Sequence, residues 1–278
     1  MFGSINMIVT DIDGTIVDSP KSYELNRELE DTLHRVINLG IKVGLASGRS
    51  YGHIMSHLGY IGFNSPLICN NGAVIRDDNN IYFEKLLSPD IVLKAWCLAR
   101  NMHCRAEFLS DYMMYVCEFR GYRGIHVPQM GKGNYKIDLV DSNQSMNMLY
   151  NSKISKITLT VADRTQANEV CREWSSINML LSSSTELTRS LWNFIEISPK
   201  GISKASGLKY LTKKLRIPLS EVMVFGDGDN DAGMLRMASN SFAVSNASSE
   251  AKMAAKEIIP AVYENGVGVI LKERILGV

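Results

Sequence analysis

Ile5-Asn6-Met7-Ile8-Val9-Thr10-Asp11-Ile12-Asp13-Gly14-Thr15 sets a short apolar run directly before two carboxylates a dipeptide apart. Such a run reads as a strand of a buried parallel sheet, covered on both faces and so without polar alternation. Asp11 and Asp13 then emerge together at its carboxyl end, where open α/β sheets place their ligands. Carboxylates this close repel unless a cation lies between them, and hard oxygen donors suit an ion such as Mg2+. With the charge masked, one carboxylate oxygen is free to attack the phosphorus of a phosphate ester. The same string also reads as an acidic turn in which Gly14 supplies a special backbone angle.

A second acidic strand end follows far along the chain. Val222 to Phe225 is apolar and runs into Gly226-Asp227-Gly228-Asp229-Asn230-Asp231 before a helix-like segment. A calcium loop is the competing reading, but the D-x-D-x-D-G order is shifted and no Glu stands at the twelfth loop position. Between these acidic ends, Ile41 to Leu45 reads as a strand that enters Ala46-Ser47-Gly48-Arg49. That turn offers a hydroxyl and amide N–H groups to an anion, or simply caps the next helix through Ser47. Ser203-Lys204-Ala205-Ser206-Gly207-Leu208 opens a further helix. A lysine in a first turn opposes the helix dipole unless an anion lies nearby; otherwise Lys204 is a solvated charge.

In this order the segments resemble the motifs of the haloacid dehalogenase superfamily of phosphatases, and within it the Cof-type, subclass IIB members. The strings that carry the resemblance are D-I-D-G-T at 11–15, A-S-G-R at 46–49, N-N-G-A at 70–73, S-P-K-G-I-S-K-A-S-G-L at 198–208 and G-D-G-D-N-D at 226–231. The resemblance implies an α/β fold: a Rossmann-like parallel-sheet core with an inserted α+β cap domain. It also implies Mg2+ as cofactor. Asp11 resembles the nucleophile that forms an aspartyl-phosphate and ligates the metal through its other oxygen. Asp13 resembles the general acid and base, with its main-chain carbonyl on the metal. Ser47, Gly48, Lys204 and Asn230 are implied to hold phosphate, Asp227 to be the third metal ligand, and Asp231 to stand behind the ligands. Asp229 is read as a loop residue near the site.

The flanks of the chain alternate strand and helix as a parallel sheet would, whereas the middle has the mixed pattern of an α+β module. The expected division is a core of 1–83 and 189–278 with a cap of 84–188. Leu25, Leu29, Leu33, Val36 and Ile37 recur at helical spacing, and Gly40 is a reasonable stop. Asn70-Asn71-Gly72-Ala73 reads as a turn between short strands, with substrate contact by the two asparagines as the less favoured alternative. Within the middle, Ser88-Pro89-Asp90 is a strong helix start. Strands are expected at 104–109, 113–119 and 154–161, a helix from Thr165 to Ser175, and a strand near Met179 to Leu181. The cap should set substrate choice, since the core motifs read only phosphate and metal. Arg120, Tyr122, Arg123 and His126 are specificity candidates there, although a solvated loop explains each of them too.

Thirty basic against twenty-nine acidic residues leave no global field for nucleic acid or an anionic membrane. The five cysteines are scattered and lack C-x-x-C spacing, which suits reduced thiols. No window approaches a membrane span and the first residues lack a signal pattern, so a cytoplasmic enzyme is expected. The leading function is hydrolysis of a small phosphorylated metabolite, such as a sugar phosphate or cofactor phosphate. A sugar phosphomutase with the same core chemistry is the alternative. A phosphate-binding protein without turnover is disfavoured, because a binder needs no nucleophile paired with an acid.

Overall fold

The computed structural model describes residues 4–19, 24–123, 136–181, 183–191 and 193–278. In chain order the strands are β1 (Met7–Thr10), β2 (Lys42–Leu45), β3 (Leu67–Cys69), β4 (Val74–Arg76), β5 (Ile81–Glu84), β6 (Arg105–Leu109), β7 (Met114–Glu118) and β8 (Lys136–Leu139). They continue with β9 (Lys156–Thr160), β10 (Thr185–Leu191), β11 (Phe194–Pro199), β12 (Val222–Gly226), β13 (Asn240–Val244) and β14 (Glu257–Ile259). The helices are α1 (Arg27–Asn38), α2 (Tyr51–Leu58), α3 (Pro89–Asn101), α4 (Asn143–Tyr150), α5 (Arg164–Leu180), α6 (Lys204–Leu215), α7 (Ala232–Met237), α8 (Ser249–Ala254) and α9 (Gly266–Leu271). No helix among the described residues is long and apolar enough to cross a membrane.

The chain divides into two compact units, the first made of Met1–Arg49, Ile54–Tyr82 and Ser203–Val278. Its centre is a five-stranded parallel sheet in the order β14-β13-β12-β1-β2. The apolar run before Asp11 is fully buried in that sheet, as its lack of alternation requires. β1 lies between β12 and β2, with Thr10 opposite Phe225 on one side and Leu45 on the other. The three motif-bearing strands are therefore neighbours in register, and their carboxyl ends finish at one level. The chain leaves β1 toward β2 on one side and returns through β12 on the other, the arrangement that opens a ligand crevice in such sheets. A small sheet β3-β4-β5 adjoins, reached through a parallel bridge between Ala46 and Ile68.

The second unit, Ser50–His53 and Phe83–Ile202, is built on a six-stranded sheet in the order β10-β11-β9-β6-β7-β8. α3 starts as its sequence demands, with Ser88 capping and Pro89 in the first turn. Trp96 and Trp174 are buried against Phe108, Ile157, Ile195 and Ile197 in a core of the unit's own. The Trp96 and Phe119 rings meet edge to face at 4.8 Å.

Two expectations for this unit are corrected. The strand expected near Met179 to Leu181 is the end of α5, where Met179 and Leu180 are 76% and 80% exposed. Ala167, Val170 and Trp174 bury the helix face, and the Asn178 amide binds the backbone of Thr185, so extended pairing begins only there. The boundary expected at 188 falls inside β10, whose antiparallel ladder to β11 continues from β11 to β9. Phe194 to Pro199 therefore belongs to the second sheet, and the unit ends at Ile202.

Candidate active site

Asp11 stands one residue beyond β1, and its amide still donates to the Phe225 carbonyl at 3.0 Å, so the ladder holds it rigidly. The chain then turns sharply, with the amides of Thr15, Ile16 and Val17 all donating to the Ile12 carbonyl. Gly14 takes φ +81°, and a Cβ there would lie 2.3 Å from Asp227 Oδ2. Glycine is needed for both the backbone angle and the close approach of the second acidic loop. Thr15 Oγ1 donates to Asp227 Oδ1 at 3.1 Å, and the Asn246 amide holds the Gly14 carbonyl at 2.8 Å.

Lys204 enters from the first turn of α6, which Ser203 and Ser206 close with reciprocal hydrogen bonds. Its side chain is 1% exposed, and Nζ donates to Asp11 Oδ1 at 2.6 Å and to Asp231 Oδ1 at 2.7 Å. These two carboxylates remove the conflict between a lysine and the positive helix end. The other Asp231 oxygen accepts from the amides of Asp227 and Gly228 at 3.0 and 2.9 Å. Asp231 thus shapes the loop that presents Asp227, with both of its oxygens already engaged.

Burial raises the Asp11 carboxyl well above the usual range, and the charges of Asp231, Asp227 and Asp13 push the same way against the pull of Lys204. Asp227 is raised to about 6, first by burial and then by Asp231, while Asp11, Lys204 and Thr15 work in the opposite direction. Burial pulls Lys204 down, but Asp11 and Asp231 outweigh it and hold the ammonium above the ordinary lysine range. The one ammonium does not neutralise the acidic cluster. Carboxylate oxygens of Asp11, Asp227 and Asp231 lie within 4.8 Å of one another, an all-oxygen donor set that suits a hard divalent cation.

Asp13 is not in that cluster. Its carboxylate accepts from Arg49 through both oxygens, Nε reaching Oδ2 at 2.8 Å and Nη2 reaching Oδ1. Arg49 is buried, and its own amide donates to Ser47 Oγ at 3.1 Å. Ser47 is fixed by main-chain bonds to Ile68 and Asn71, with Gly48 following it in the turn. Asn230 is exposed, and its amide reaches Asn71 Oδ1 at 3.2 Å. Asp229 is exposed and outside the acidic cluster. Arg120 and Arg123 are exposed, Tyr122 is half-buried, and His126 lies outside the described residues. Sequence reasoning assigned no role to Arg49, Thr15 or Asn246. Arg49 was visible in the A-S-G-R string, but its fold back onto Asp13 is a tertiary contact. Asn246 is separated from its partner by more than two hundred residues.

A family model of haloacid dehalogenase-like hydrolases matches residues 8–271. The chain is 25% identical to phosphatase YwpJ of Bacillus subtilis, covering 96% of this chain and 99% of that protein. It is 27% identical to the 5-amino-6-(5-phospho-D-ribitylamino)uracil phosphatase YcsE of the same organism, over 98% of this chain and 96% of the relative. Among solved structures, a protein from Eubacterium rectale superposes with a TM-score of 0.80 at 27% identity, covering 98% and 99% of the two chains. The subclass IIB sugar phosphatase BT4131 shares the fold with a TM-score of 0.77 at 22% identity, over 96% and 98%.

Proposed function

The chain belongs to the haloacid dehalogenase-like hydrolase family, and on that premise we propose that it is a Mg2+-dependent phosphatase of a small phosphorylated metabolite, working through an aspartyl-phosphate. The observation that carries this reading is the buried Lys204 ammonium joining Asp11 to Asp231 beside a second clustered carboxylate, Asp227. A lysine fixed on Oδ1 of Asp11 leaves Oδ2 as nucleophile or ligand.

Asp11 attacks phosphorus while the bond to the leaving oxygen breaks, and Asp13 gives that oxygen its proton. In the second half, the Asp13 carboxylate takes a proton from water as the water oxygen bonds to phosphorus and the bond to Asp11 breaks. Between the two halves Asp13 is the carboxylate, the form that accepts both Arg49 hydrogen bonds. Ser47, Gly48, Lys204 and Asn230 bind the phosphoryl oxygens. The side chains of Asp11 and Asp227 and the main-chain carbonyl of Asp13 would hold the metal, with Asp231 behind them. Bound there, Mg2+ neutralises charge on the phosphate and the nucleophile.

The second unit selects the substrate. Sugar and cofactor phosphates are the class to test first, with the phosphoribitylamino compound for which YcsE is named among them. The decisive experiment is Asp11→Asn, which removes the nucleophilic anion while keeping the shape of a strand-end residue. Phosphate release from a panel of phosphorylated metabolites should fall to background in a protein that melts like wild type. Persistent turnover by the folded variant would overturn the assignment.

A further inference from the structure

We infer that Asn71 is a positioning residue for the phosphate group, acting through Asn230; this rests on Asn230 being a phosphate contact as proposed above. Asn70, Asn71 and Gly72 follow β3 with φ of +49°, +56° and +99°, a left-handed run in which only the last position is glycine. Such backbone is costly for side-chain-bearing residues and persists where the surroundings enforce it. Here the amides of Asn70 and Asn71 donate to the carbonyls of Arg49 and Ser47, both at 2.9 Å. The main chain therefore straps this turn to the Ser47 turn whatever side chain position 71 carries.

The side chain does something separate. Asn71 Oδ1 accepts from Asn230 Nδ2 at 3.2 Å across 159 positions of sequence. Asn230 Oδ1 lies over Gly228, where a Cβ would stand 2.6 Å away. With the carbonyl end set there and one N–H on Asn71, the second N–H of the amide is the donor left for a phosphate oxygen. Asn230 is otherwise an exposed side chain on a short turn, and a free amide would have to be ordered when phosphate binds. Asn71 orders it beforehand, which lowers the entropic cost of binding. One residue thus ties the Ser47 turn, through its backbone, to the Asn230 amide, through its side chain.

The competing reading is that Asn71 merely tolerates a left-handed turn, as asparagine often does. Asn71→Gly separates the two, because glycine keeps the backbone angle and removes only the amide. The full chain, Asn71→Gly, Asn71→Ala, Asn230→Ala and the Asn71→Gly/Asn230→Ala double variant are titrated with inorganic phosphate in Mg2+ by calorimetry and assayed on p-nitrophenyl phosphate. Asn71→Gly should melt close to wild type yet bind phosphate roughly threefold to tenfold more weakly, the worth of one oriented hydrogen bond. KM should rise more than kcat falls. Asn71→Ala should show the same loss of phosphate affinity with a lower Tm, and the double variant should bind no more weakly than Asn230→Ala. The inference fails if Asn230→Ala weakens phosphate binding while Asn71→Gly does not, or if the two losses multiply in the double variant. Wild-type affinity in Asn230→Ala would remove both this inference and the phosphate contact of Asn230, leaving the Asp11 assignment to stand on its own test.

Discussion

Asp13 and Asp227 are both acids at strand ends, but their surroundings separate them: a guanidinium faces one, buried carboxylates the other. Asp13→Asn keeps the main-chain carbonyl proposed for the metal, so turnover should fall by roughly 10²–10⁴ with little change in Mg2+ affinity. Asp227→Ala should weaken Mg2+ binding directly, and equal losses of affinity in the two variants would reject this division. The raised Asp227 carboxyl also has a consequence for stability. Its folded value of about 6 lies above the unfolded one, so its contribution is present below about pH 4 and is lost as pH rises through 6. In EDTA, wild type should therefore lose Tm relative to Asp227→Asn between pH 4 and 7, and Mg2+ should restore progressively more over the same interval. Parallel Tm profiles for the two proteins in EDTA would contradict it.

At the scale of elements, the site depends on three parallel strands ending together and on turns tight enough to let their loops touch. Gly14 is the most constrained of these points, with φ +81° and Asp227 Oδ2 where a Cβ would go. Gly14→Ala should lower Tm and, by displacing Asp227, weaken Mg2+ binding at least tenfold; a variant with normal Mg2+ affinity would show that the loop yields without cost to the site. α6 makes the complementary point. Its first turn bears a lysine that helix electrostatics disfavour, and the same lysine is held by two acids from β1 and the loop after β12. The conflict was readable in the sequence, which left a nearby anion or a solvated charge as its two settings, and the lysine meets two acids. The end of α5 was not readable in that way. Met179 to Leu181 is a short apolar run that fits either a strand or a helix end, and α5 runs on to Leu180, with the Asn178 side chain bonded to the Thr185 backbone beyond it.

On the scale of the whole molecule, the proposed catalytic residues all belong to the first unit, while the second has its own sheet and core. Excising Phe83–Ile202 and bridging the ends should leave the acidic cluster intact, whereas a cut at 188 would split β10. If the second unit selects substrate, activity on phosphorylated metabolites should collapse far more than activity on p-nitrophenyl phosphate, whose leaving group needs little protonation. An unchanged ratio of the two activities in the folded excision variant would refute that role. The sequence by itself determined the parallel core, Asp11, Asp13, Asp227 and Lys204 as candidates, and the presence of a different module in the middle. Those features depend on local patterns: uninterrupted apolar runs, acids at their ends, and residues at odds with their position in a helix. Only the tertiary structure decided that β10 and β11 belong to the second sheet, that Arg49 folds onto Asp13, and that Asn71 reaches Asn230. Each of these joins segments whose own sequences are equally compatible with other partners, and only the packed fold determines which ones meet.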